Sequence, residues 1–174
     1  MTDFNKLKEI LKNMNEDNQK ISGEIKKIVS KYAGGLDLLI EKIREEVRLD
    51  SGGSIEDIPS SIIENYCYEI TSLLYYCYTG LEEIGIRLDA IVNEKKKKYN
   101  DAFLQATGTA QDRKAQAEIA IHEYHTIENI YKRSYNVLRG KMDSAEKMYT
   151  AFKKTMSKRI SESDFDRSSS KYRS

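Results

Sequence analysis

Tryptophan is absent from the 174 residues and proline occurs once, at Pro59. A turn-rich β fold needs proline at many turns. Long helices exclude it, because it lacks the N–H donor and clashes with the preceding turn. Two cysteines, Cys67 and Cys77, stand ten residues apart on one expected helix. At the helical rise that is about 15 Å, beyond disulfide reach, and no His or Cys cluster accompanies either to suggest a metal. The two histidines, His122 and His125, form a bare H-x-x-H without the carboxylate pattern of a zinc helix, so they read as surface residues. No glycine-rich phosphate loop, nucleophile elbow or Cys–His pair is present, and the expectation is a non-enzymatic protein with no cofactor. No apolar run reaches the roughly 20 residues of a membrane span, and MTDFNKLKEI has no signal-peptide core. The chain is therefore expected to be soluble and cytoplasmic, in a host cytoplasm if it is viral.

What is present is charge and helical periodicity. Hydrophobic residues make up 39% and charged residues 33%, a balance suited to thin helical bundles and coiled coils. In residues 1–50, apolar positions from Phe4 to Val29 recur at helical spacing. Gly34-Gly35 is expected to stop that helix. A second short helix follows from Leu36 to about Leu49. Residues 51–58, opening Ser51-Gly52-Gly53, read as a linker.

Pro59 then opens a long helix, since the first turn has no use for the missing N–H. Its seam is Ile63, Tyr66, Ile70, Leu73, Cys77, Leu81, Ile84, Leu88 and Ile91, with steps of 3 and 4. Gly80 and Gly85 inside it mark either a close approach or a bend. Thr107-Gly108 ends this arm, and Thr109 with Asp112 has capping-box spacing. The return arm follows Ala117, Ile121, Tyr124, Ile127, Tyr131, Ser134, Leu138, Met142, Ala145, Tyr149, Phe152 and Met156, apolar except at Ser134. Residues 161–174 are serine-rich and charged, and are expected to be disordered. The fold class is all-α: a long antiparallel, coiled-coil-like hairpin over residues 59–160, with two shorter N-terminal helices.

The net charge of +1 hides a split. Residues 51–94 carry one basic and eight acidic side chains, and residues 95–174 carry 18 basic and 10 acidic. Folded about a turn at 108–109, the hairpin brings Lys132 and Arg133 near Glu82 and Glu83, Lys147 near Glu69, and Lys153 and Lys154 near Glu64. Much of the split thus reads as self-complementary. One cluster has no such partners: Lys95, Lys96, Lys97 and Lys98 before the turn, Arg113 and Lys114 after it. Tyr99 and Phe103 interleave with these cations and offer base-stacking faces. The cluster is either a phosphate-contacting tip, a solvated face, or a site for an acidic protein. Twelve tyrosines are present, and Tyr66, Tyr68, Tyr75, Tyr76 and Tyr78 cannot all face one seam. They read as a subunit interface or as core against the N-terminal segments.

The run NEKKKKYNDAFLQATG, the glycine turn, DRKAQAE and then NIYKRSYNVLRGKMDSAEKMYTAFKK resembles the recombination mediator proteins of the UvsY type in tailed phages, over about residues 80–160. The resemblance implies a homo-oligomer that binds single-stranded DNA through basic residues and helps load a recombinase. Lys95–Lys98 match the family's basic run before the turn. The additional N-terminal 50 residues depart from that pattern. The alternatives are a virion or scaffold-like assembly protein and a small inhibitor of a host protein.

Overall fold

The computed structural model describes the backbone of residues 2–47 and 53–171, and the side chains of 18–47 and 53–165. The described residues form four α-helices and no strand: α1 (Thr2–Val47), α2 (Ser60–Gln105), α3 (Ala110–Ala120) and α4 (His122–Lys171), with a 3-10 turn at Ile55–Asp57 between α1 and α2. The all-α class and the hairpin-like packing of α2 against α4 agree with the sequence reading.

The N-terminal region differs from that reading. The stop expected at Gly34-Gly35 does not exist, and α1 runs through it. Glycine costs a helix roughly 1 kcal/mol relative to alanine. Here Ala33, Leu36, Leu39, Ile43 and Val47 are all buried along one face, and that packing outweighs the local preference. A Cβ at Gly35 would stand 2.9 Å from Leu73 Cδ2, so Gly35 permits close approach of α2. α2 is likewise continuous through Gly85. At the other end, α4 continues to Lys171 through the segment expected to be disordered from Ser161. The Ser161 hydroxyl donates to the Ser157 carbonyl at 3.0 Å, so this serine is compatible with the helix. The apolar positions Phe4 to Met14 lie outside the described side chains, and Ser51-Gly52 lie outside the described residues.

The chain divides into two compact units, Met1–Lys31 with Thr79–Leu138, and Tyr32–Tyr78 with Arg139–Ser174. These cut across the segments read from the sequence. In the second unit, α1, α2 and α4 bury Leu36, Ile43, Ile63, Ile70, Cys77, Met142, Ala145 and Phe152. The α1–α2 connection is fastened to α4 there: Arg159 donates to Ser60 Oγ and to the Glu56 carbonyl, and Lys158 pairs with Glu56. The Ser54–Asp57 capping box holds the 3-10 turn itself.

The first unit buries Val29, Ile84, Ala117, Ile121, Ser134 and Leu138. Ser134 is accommodated because its hydroxyl donates to the Ile130 carbonyl at 2.8 Å. The hairpin turn is as read: Gly108 has φ of +106°, the left-handed region glycine enters freely, and Thr109 with Asp112 completes a capping box. The return arm is not one helix. It breaks at Ile121 (φ −103°, ψ 5°), where neither proline nor glycine is present.

Candidate nucleic-acid interface

The six cations expected to act together at the tip fall into two groups. Lys95 is ion-paired with Glu128, and both side chains are part-buried, at 20% and 21% exposure. Its ammonium holds the Glu128 carboxyl below the usual carboxylate range, chiefly through their hydrogen bond. His125 Nδ1 stands 4.0 Å from the same carboxylate. Arg113 donates to the Phe103 carbonyl at 3.1 Å and lies 4.4 Å from the Phe103 ring centre. It therefore fastens α3 to the end of α2. Neither Lys95 nor Arg113 is the free cation read from the sequence.

Lys96, Lys97, Lys98 and Lys114 are exposed, and no ion pair among the described residues involves them. Tyr99 and Phe103 are half-buried and stack on each other, with centroids 6.3 Å apart and planes 13° apart. They are a less open platform than the sequence suggests. Asp112 is occupied by the cap, its carboxyl held below the usual range by the Thr109 hydroxyl and backbone N–H.

Glu64 and Lys153 line one groove, as expected, but no ion pair among the described residues joins the acid–base partners expected along the arms. Glu83 meets Lys31 at 3.5 Å and Arg87 at 2.7 Å, in place of Lys132 and Arg133. Lys147, Lys153 and Lys154 take part in no ion pair among the described residues. Lys153 lies 5.6 Å from the Tyr149 ring centre instead.

The five tyrosines also separate. Tyr66 is core: 2% exposed, stacked on Phe152 with centroids 5.9 Å apart, its hydroxyl bonded to Glu46. It is therefore not an interface residue of the surface. Tyr68, Tyr75 and Tyr76 are 83%, 71% and 62% exposed. Tyr78 is half exposed and donates its hydroxyl to Glu146, whose carboxylate pushes the phenol's ionisation up. Beside Tyr68 an open groove of about 530 Å³ runs between α2 and α4, with Cys67, Tyr149, Met156 and Ile160 in its walls. Burial pushes the Cys67 thiol up.

Sequence reasoning missed a second feature near the tip. Val92, Lys95, Lys96 and Tyr99 of α2, Glu118 of α3, and Ile121 and His125 beyond it line a cleft of about 360 Å³. In the sequence, Lys95 stands four residues beyond Ile91, where the seam would next place an apolar residue. No group of three or more His, Cys, Asp or Glu among the described residues could hold a metal ion. No helix among them is long and apolar enough to cross a membrane. No protein-family model matches the chain, and no curated protein or solved structure matches it.

Proposed function

We propose that this chain is a non-catalytic recombination or replication accessory protein of the phage type, which assembles with itself and binds single-stranded nucleic acid. The observation that carries the reading is the quartet Lys96, Lys97, Lys98 and Lys114, exposed beside the turn and engaged by no carboxylate among the described residues. Lysines without internal partners are free to take phosphates, and each phosphate contact releases condensed counterions. Self-assembly rests on Tyr68, Tyr75 and Tyr76, whose rings stand in solvent on α2 and are the residue type enriched at interfaces. Loading of a recombinase rests on the UvsY-type resemblance over about residues 80–160.

Fluorescence anisotropy with a labelled single-stranded oligonucleotide tests the reading. Four lysine contacts give a log–log salt slope of about −2.8, at roughly −0.7 per contact. Lys96→Ala with Lys97→Ala should halve that slope and weaken binding to all sequences alike. Equal loss from Lys153→Ala with Lys154→Ala would move the site off the tip. Light scattering should give a mass above 20.1 kDa that falls when Tyr68 and Tyr75 are changed to serine.

A second reading is a structural assembly protein, favoured by the groove of Cys67, Tyr149, Met156 and Ile160 beside the exposed tyrosines. Self-association without binding of any oligonucleotide at low salt would select it.

A further inference from the structure

The return arm of the hairpin interrupts its helix at Ile121, and the residue released from the helix is buried at the cleft described above. Val92 and Ile121 supply its apolar walls. Tyr99 lines it as well, already steadied by its stack on Phe103. Its charges nearly cancel. Lys95 is taken by Glu128, and the cleft is lined by the Glu118 carboxylate as well as by Lys96, with no ion pair between those two among the described residues. His125 closes the side nearest Glu128.

This mixture discriminates between the parts of a nucleotide. A phosphate inside the cleft would meet Glu118 and find Lys95 already neutralised. It is better placed outside, along Lys96, Lys97 and Lys98. An uncharged planar base meets no such opposition: it gains apolar contact with Val92 and Ile121, a ring neighbour in Tyr99, and polar neighbours for its edge in Glu118 and His125.

We propose that this cleft receives one base of a single-stranded nucleic acid whose phosphates follow the adjacent lysines. The inference rests on the nucleic-acid reading above and adds a base-binding element to it. It also supplies a reason for preferring single strands, since a paired base must first be extruded from its stack.

The test compares two oligonucleotides of equal length and charge, an oligodeoxycytidine and its abasic counterpart, bound to the full chain at one salt concentration. Base–aromatic stacking of ordinary strength predicts about tenfold tighter binding of the intact oligomer. Val92→Trp, which fills the cleft from a partly exposed position, should bring the intact oligomer down to the affinity of the abasic one. Circular dichroism checks that the variant is folded, and Tyr99→Ala serves if it is not. Equal binding of the two oligomers by the wild-type chain would overturn the base site while leaving lysine–phosphate binding in place. Binding of neither at low salt would overturn both readings.

Discussion

Gly34 and Gly35 offer a matched pair of substitutions inside one continuous helix. At Gly34 an added Cβ meets nothing within 4 Å, and at Gly35 it meets Leu73 Cδ2 at 2.9 Å. If α1 runs through both positions, Gly34→Ala should stabilise the protein by about 1 kcal/mol, the difference in helix propensity. Gly35→Ala gains the same propensity, but must push the Leu73 methyl aside. A side chain driven about 30° off its rotamer costs roughly 0.5–1.5 kcal/mol, so the net change there should lie near zero. The expected gap between the two variants is thus about 1 kcal/mol. Urea unfolding followed by circular dichroism resolves it. With a urea slope of about 2 kcal/mol per M, Gly34→Ala should raise the midpoint by roughly 0.5 M. Destabilisation by Gly34→Ala would mean that the chain turns at this glycine, and would refute the continuous α1. Equal stabilisation by both would refute the close approach of α2 at Gly35.

Two further outcomes follow from the packing. Phe152→Ala removes a fully buried ring stacked on Tyr66 and should cost about 3–5 kcal/mol, read from the same urea titration. Glu128→Gln should lower stability at pH 7 and flatten the acid limb, as measured by urea midpoints at pH 7 and pH 3. Lys95 depresses the folded-state ionisation of Glu128. That contribution is therefore present above the unfolded carboxyl value of about 4.3 and is lost as pH falls below it.

Periodicity made the two long arms legible, and local chemistry made the turn legible. Gly108 and the Thr109–Asp112 box lie where spacing puts them. The glycine pair was misread because its meaning depends on Leu73, a residue 38 positions away in the chain. Ile127 falls on the seam by spacing, yet it is exposed and Glu128 turns inward. A 3/4 count favours the apolar neighbour and has no means of anticipating a part-buried ion pair. The ion-pair partners were also misjudged, for a geometrical reason. Folding at 108–109 sets Lys95 opposite His122, but helical side chains lean toward their own N-terminus. On antiparallel arms the Lys95 and Glu128 side chains lean toward each other, so they meet from backbone positions offset by more than a turn. Tyr78 and Glu146 meet the same way. The cleft at Ile121 was illegible because no proline or glycine announces the helix break.

The Lys95–Glu128 pair has a consequence for uniqueness more than for stability. A part-buried ion pair roughly breaks even against apolar packing, so its net contribution is small. The alternatives it opposes are another matter. The seams of α2 and α4 repeat every seven residues, and a seven-residue slip would leave much of their apolar matching intact. Such a slip would set Lys95 against Ile121 or Tyr135, and Glu128 against Leu88 or Ala102. Each charge would then stand at a part-buried position without its partner, which opposes the slip. A single polar pair in an otherwise repetitive seam thus acts as an index mark, admitting one alignment of two arms that apolar contacts alone would let slide.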